Sequence, residues 1–306
     1  MQAIQSLGSI LRLFAYFTLA GVTTTFFLTV IGDAPLTTYS SVSSLQNTPG
    51  LFHTIAYSDM LGKLTGFVVL PILYLVLSKQ KNANPFRQEK GIAFEGISIV
   101  AGIAVLLLSL PAINVIAELN KNIFFPEPLK SLQEFIVKSE ELAEATIGLF
   151  LHVQTLPDIL LSFLALAVMP AIGEEIIFRG FFQRELIQQT KNIHLSVWIA
   201  AFLFSFIHFQ FLGFFPRVLL GALLGYMYVW SGSLLVPILM HFTNNALTLF
   251  LLIIYKQGHT TFNPESSEQI PYVFVLVSFT ACLAILYNRK KAYDNQLSSY
   301  PTHTHE

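Results

Sequence analysis

A membrane-spanning helix needs roughly 20 consecutive, mostly apolar residues. The chain offers eight such stretches, at 10–31, 56–78, 92–116, 157–180, 195–212, 215–231, 234–255 and 270–288. They set the expected fold class, an all-α polytopic transmembrane helix bundle of about eight spanning helices. The sixth stretch is short and begins at Pro216, which makes it the weakest of the set. Composition agrees: 54% of the 306 residues are hydrophobic and 11% charged, against about 25% charged in soluble domains. So little charge cannot clothe a fold in water, but it suffices in lipid. The net charge of −1 gives no field to draw nucleic acid, so none is expected as a partner. Cys282 is the only cysteine and excludes an intramolecular disulfide. No small-residue cleavage site clearly follows the first apolar stretch, so it reads as a helix and not as a removed signal.

Basic residues in short loops set orientation. Lys79, Lys81, Arg87 and Lys90 lie in one loop, Arg184 and Lys191 in a second, and Arg289, Lys290 and Lys291 follow the last span. Loop 32–55 has no Lys or Arg, and loop 256–269 has only Lys256. Eight alternating spans put all three basic segments on one side with both termini, the side expected to be cytoplasmic. Residues 119–156 differ. Pro126 and Pro128 precede a stretch with apolar residues at helical spacing, which predicts an outer amphipathic helix on the membrane surface. A helix packed on the bundle would show the same pattern.

An ionisable side chain at a helix centre in lipid costs at least about 2.5–3.5 kcal/mol, so it needs a partner or a function. Arg12, Asp59, Lys63, Glu95, Glu118, Asp158 and Arg217 fall near span ends, where long side chains can reach the interface. His53, His152, His194, His259, His303 and His305 fall in loops, surface helices or the tail. Left deep are Glu174, Glu175 and Arg179 in the fourth span, His208 in the fifth, and His241, Asn244 and Asn245 in the seventh. Spans four and five form a helical hairpin if they turn near Lys191 and Asn192. Glu174 is then 17 residues before Lys191 and His208 is 17 after it, so both lie about 25 Å from the turn. Glu175 and Arg179 are spaced to pair along one face, as are His241 and Asn245. Glu174 points about 100° away from Glu175, so the two need not share a partner. Pro170 can kink the helix and open space beside Glu174.

One carboxylate and two imidazoles facing a wet cavity suit the activation of water. Neutral imidazoles can bind zinc with positions left open for water, and Asn245 could donate to a developing oxyanion. Peptide hydrolysis fits. A proton-coupled transporter would also use buried Glu and His, and a non-catalytic membrane immunity or regulatory protein could hold the same groups for structure. Against transport, the sequence has no repeated pair of broken helices.

Three short motifs sharpen the choice. Glu174-Glu175-Ile-Ile-Phe-Arg179, Phe204-Ser-Phe-Ile-His208 and His241-Phe-Thr-Asn-Asn245 resemble, in order and spacing, the EExxxR, FxxxH and HxxxN motifs of the CPBP family of CAAX proteases and bacteriocin-processing proteins. The resemblance covers about residues 157–250. It implies an intramembrane metallo-endopeptidase similar to the type II CAAX prenyl endopeptidases. By that resemblance Glu174 activates water with His208, His241 and Asn245 complete the site and stabilise the oxyanion, and Glu175 and Arg179 support it. One divalent metal, zinc, is expected on His208, His241 and Glu174. The partners implied are membrane lipid and a membrane-associated peptide substrate, prenylated or bacteriocin-like, at a bacterial inner membrane. The chain then divides into N-terminal helices with the amphipathic segment (1–156), a catalytic core (157–255), and a last span with a polar cytoplasmic tail (256–306).

Overall fold

A computed structural model describes residues 2–31, 51–77, 95–122, 126–151, 155–264 and 270–299. The basic loop at 79–91, His152, His303 and His305 lie outside the described residues. The chain is an all-helical, polytopic membrane protein. Helix α1 is Gln2–Ile31. Helix α2 covers residues 51–77 and is interrupted by a π-helical stretch, Leu64–Val69. Then come α3 (Glu95–Lys121), α4 (Lys130–Leu151), and α5, a continuous rod over residues 156–190 with π-helical stretches at Leu164–Val168 and Ile176–Gln183. The last four are α6 (Ile193–Phe206), α7 (Phe214–Ser231), α8 (Leu235–Lys256) and α9 (Tyr272–Ser299).

Among the described residues, six helices are long and apolar enough to cross a membrane: Leu51–Leu73, Gly96–Lys121, Leu156–Thr190, Phe211–Ser231, Leu235–Lys256 and Tyr272–Gln296. Two shorter apolar helices, Thr18–Leu28 within α1 and Ile193–Phe206, fall where the first and fifth spans were expected. The weakest member is the fifth and not the sixth. The α7 span is 21 residues, with 56% of its apolar window buried in the protein, so its shortness in sequence reflects protein neighbours on most sides. Helix α6 has 14 residues, about 21 Å, against a hydrocarbon core of about 30 Å. It enters the bundle and stops at the depth of the site.

The α5–α6 hairpin turns where the sequence places it. Lys191 adopts a left-handed conformation (φ 56°) after α5, and Asn192 caps α6 by accepting the Leu195 amide at 3.0 Å. At the other end of α6 the chain reverses within residues 207–213, using a second left-handed residue, Phe209 (φ 53°). A non-glycine residue held there stores strain, of order 1–3 kcal/mol, and such residues cluster at functional sites.

Close approach of α5, α6 and α7 rests on the Gly221-Ala-Leu-Leu-Gly225 stripe. A Cβ on Gly221 would come within 3.1 Å of Ala201 Cα, and one on Gly225 within 2.6 Å of Gln183 Oε1. Two side chains of α5 use the exposed backbone. Arg179 Nη2 donates to Gly221 O (2.9 Å) and Gln183 Nε2 donates to Gly225 O (3.0 Å). Helix α4 packs mainly by its C-terminal end, where Phe150 and Leu151 are buried, while Leu132 and Phe135 near its start are about half exposed. It is amphipathic and also docked.

Enlarging the stripe should overpack it, at about 1–3 kcal/mol per site. Gly221→Val and Gly225→Val are expected to lower the thermal unfolding midpoint in detergent by several degrees. Gly148→Ala, whose added Cβ meets nothing within 4 Å, should leave it unchanged.

Candidate active site

Helix α5 carries Glu174 and Glu175 between its two π-helical stretches. Beside them Gly173 lets α2 approach: a Cβ there would lie 3.0 Å from Phe67 Cβ. Glu175 is completely buried and its Oε1 accepts twice, from Arg179 Nη1 at 2.7 Å and from His241 Nδ1 at 2.8 Å. Arg179 is equally buried and lies over the Phe204 ring, 4.8 Å from its centroid. One carboxylate thus joins α5 to α8, and its guanidinium partner joins α5 to α6 and α7.

The hydrogen bonds fix which nitrogen each imidazole turns inward. His208 Nδ1 lies 2.7 Å from Phe204 O, an atom that can only accept, so Nδ1 is the donor. His241 Nδ1 faces the ion-paired Glu175 carboxylate and donates for the same reason. In its neutral form each ring then offers an Nε2 lone pair. Both point at one atom: Glu174 Oε2 lies 3.8 Å from His208 Nε2 and 4.0 Å from His241 Nε2. The equal-depth hairpin therefore does place Glu174 beside His208. His241 faces both glutamates, each across a different ring nitrogen. The site opens at His208, whose side chain is 26% exposed, against 4% for His241 and 10% for Glu174.

These spacings are too long for direct hydrogen bonds and suit one bridging oxygen about 2.8 Å from each atom. The donor types also suit zinc, whose tetrahedral shell would draw the three atoms to about 3.3 Å apart. Among the described residues, no group of three or more His, Cys, Asp or Glu is gathered tightly enough to hold a metal as it stands. Asn245 lies on the next turn of α8 from His241. Its Nδ2 donates to Leu166 O at 3.2 Å and its Oδ1 accepts from Asn244 at 3.1 Å. Leu166 belongs to the π-helical stretch Leu164–Val168 and lies four residues before Pro170, whose missing N–H leaves that carbonyl without its usual helical donor. Asn245 of α8 takes the place of the bond that Pro170 removes.

Two expectations need correction. His208 is not on a spanning helix but in the turn after α6. Lys63 is not near a span end: it lies mid-way along Leu51–Leu73, ion-paired to Asp59 at 2.7 Å, and it acts electrostatically on both Glu174 and His208. The turn carrying His208 is held by residues the sequence did not single out. Asn120, at the end of α3, donates to Phe211 O (2.8 Å) and accepts from Phe215 N (3.0 Å). Glu140 of α4 accepts from Leu212 N at 2.9 Å. Arg217 donates to Gln210 O and Oε1 at 3.2 and 2.9 Å. An asparagine closing an apolar span was a readable signal; Glu140, on an amphipathic helix rich in acids, was not.

Residues 156–247 match the family of type II CAAX prenyl endopeptidases, Rce1-like. The Rce1-like segment holds every residue of the Glu174 cluster and excludes α1 to α4. Among curated proteins the chain is similar to the uncharacterized protein YpbD of Bacillus subtilis (strain 168), 34% identical over 85 residues. That match covers 26% of this chain and 40% of YpbD, so the chain spans well under half of that relative. No solved structure matches the chain.

Removing one partner of a buried ion pair costs about 3–5 kcal/mol, because the other charge is stranded. Glu175→Ala and Arg179→Ala should each destabilise by that order in detergent unfolding. The double variant should lose clearly less than the sum, a coupling that a double-mutant cycle reads directly.

Proposed function

We propose that the chain is an intramembrane endopeptidase that hydrolyses a peptide bond with a water held between Glu174 and the two imidazoles. The observation that carries this reading is the convergence of three acceptor atoms, Glu174 Oε2 and the Nε2 atoms of His208 and His241, inside a membrane bundle. Water placed there gives one hydrogen to Glu174 and the other to an imidazole, which leaves an oxygen lone pair for the scissile carbonyl. Glu174 takes the proton as the new C–O bond forms and returns it to the leaving amine. The Asn245 amide has one N–H beyond the bond to Leu166 O, and it serves the oxyanion. Glu175 and Arg179 act through His241, holding its ring so that Nε2 faces the water. A zinc ion would be held by His208, His241 and Glu174, and when bound would lower the pKa of water and polarise the carbonyl.

The match to the Rce1-like family supports this reading. The substrate is a membrane-associated peptide, prenylated or bacteriocin-like, met in the bilayer by residues 157–255. The location is a bacterial inner membrane, with both termini cytoplasmic.

Purified protein in detergent, given a fluorogenic farnesylated CAAX peptide and the same peptide without the lipid, tests the assignment. Glu174→Ala and His208→Ala should each reduce cleavage by about 10²–10⁴-fold, the usual span for a lost acid–base group, while the protein still accumulates and folds. Undiminished cleavage by either variant would sink the assignment. Zinc content by mass spectrometry decides the metal. About one zinc per wild-type chain, lost in both His208→Ala and His241→Ala, is the expected result; full activity without bound metal would leave Glu174 and His208 as the sole activators of water.

A further inference from the structure

Helix α7 has a second working face. Gly221 and Gly225 face α5 and α6, whereas Leu219, Leu223, Tyr226 and Trp230 point the other way, roughly 150° round the helix. There they line an apolar cavity of about 380 Å³ between α3, α7 and α9, with Trp198 of α6 at its edge. On α9 its wall runs from Phe279 to Lys290, twelve residues that span about 16 Å along the helix. It is a long slot parallel to the helices, not a round pocket.

Its two ends differ in chemistry. The far end is apolar, closed by Ile113, Ile116, Leu219 and Phe279. The near end carries Lys290, Tyr287 and Tyr226, whose hydroxyl lies 2.8 Å from His194 Nδ1. Lys290 belongs to the run Arg289-Lys290-Lys291, where the sequence reading puts the membrane interface. Its acidic partner, Asp294 at 2.6 Å, is about half exposed, as is Lys290 itself. An exposed pair of that kind holds its charges weakly, so Lys290 can turn to another anion. Aromatic residues gather at the same end, including both of the chain's two tryptophans, Trp198 and Trp230, as at membrane–water interfaces.

We infer that this slot is a binding site for one anionic glycerophospholipid, with an acyl chain laid along α7 and α9 and its phosphate at Lys290. The complement of charge selects the occupant. A slot closed by tyrosines alone would take any acyl chain, whereas a cation set on the same helix face as the slot prefers a lipid with net negative charge. The bound chain fills the gap between α9 and the helix that presents Gly221 and Gly225 to α5 and α6. The lipid therefore buttresses α7 from behind without entering the site.

The two tryptophans provide the readout. The full chain is reconstituted in nanodiscs of phosphatidylcholine doped with acyl-brominated phosphatidylglycerol or, separately, acyl-brominated phosphatidylcholine. At a few mole per cent, the brominated phosphatidylglycerol should quench tryptophan fluorescence several-fold more strongly and saturate. Lys290→Gln should remove that preference. Lys291→Gln, a charge change turned about 100° off the slot, should keep it, and Ala112→Phe, which fills the slot, should weaken quenching by both lipids. Equal quenching by the two headgroups in the wild type overturns the site. So does a preference that survives Lys290→Gln, or one lost equally with Lys291→Gln, since either would mark a diffuse surface field.

Discussion

A charge buried among lipid-facing helices is tolerated only when it is paired and hydrogen-bonded, and Glu175 is where this bundle meets that demand. Its carboxylate is wholly enclosed, so Arg179 and His241 must both reach it. The ends of those two side chains then decide where helices go. Arg179 also needs Gly221 O, which draws in α7, and it lies against Phe204, which seats α6. His241 brings α8. Remove the carboxylate and three helices lose their common reference point. The second glutamate is different: Glu174 has no partner within hydrogen-bonding distance among these groups, because Glu175 has already turned the imidazole of His241. One acid is committed to structure, which leaves the other facing the two imidazole nitrogens.

The same logic explains the departures from regular helix around the site. A regular α-helix without proline would commit every backbone carbonyl near Glu174 to its own ladder. Pro170, just after the π-helical stretch Leu164–Val168, offers no N–H to Leu166 O, and Asn245 takes its place; the stretch Ile176–Gln183 carries both Arg179 and Gln183 to α7. Widened turns of this kind occur mostly at functional sites. The turn at 207–213 adds the strained Phe209. It is kept in place by Asn120, Glu140, Ser205 and Arg217, the last of these also bonded within the turn itself. Helix α4, which lies outside the Rce1-like match, thus bears on the site through one carboxylate.

Much of this was legible in the sequence, and for definable reasons. Hydropathy locates spans because the bilayer penalises polar backbone and side chains at every step. Residue counting aligned Glu174 with His208 because a hairpin between two helices conserves depth on both arms. It failed for α6 as a span because counting apolar residues does not see where a chain turns, and Ile207, Phe209, Phe211 and Leu212 carry the apolar run past the helix end. Lys63 was misplaced for a related reason. Its distance from the nearest polar loop looked short, while the helix in fact starts at Leu51 and puts Lys63 mid-way along the span. Asn120 and Glu140 act over separations of about 70 to 95 residues, and no local pattern encodes such a contact.

The depth of His241 shows what the tertiary fold adds. It is the seventh residue of α8, whereas Glu175 lies 16 residues before Lys191. At 1.5 Å per residue the two are about 9 and 24 Å from their respective turns, yet their side chains touch. The α5–α6 hairpin must then project about 15 Å beyond the start of α8. That overhang carries Arg184, Glu185 and Lys191, and Glu185 pairs with Arg12 of α1 at 2.7 Å. That part-exposed pair ties the polar extension to α1. Glu174 and His208 stand on the two arms of one hairpin, so their common depth is set by its turn, and His241 is held at that depth from α8 by its bond to Glu175.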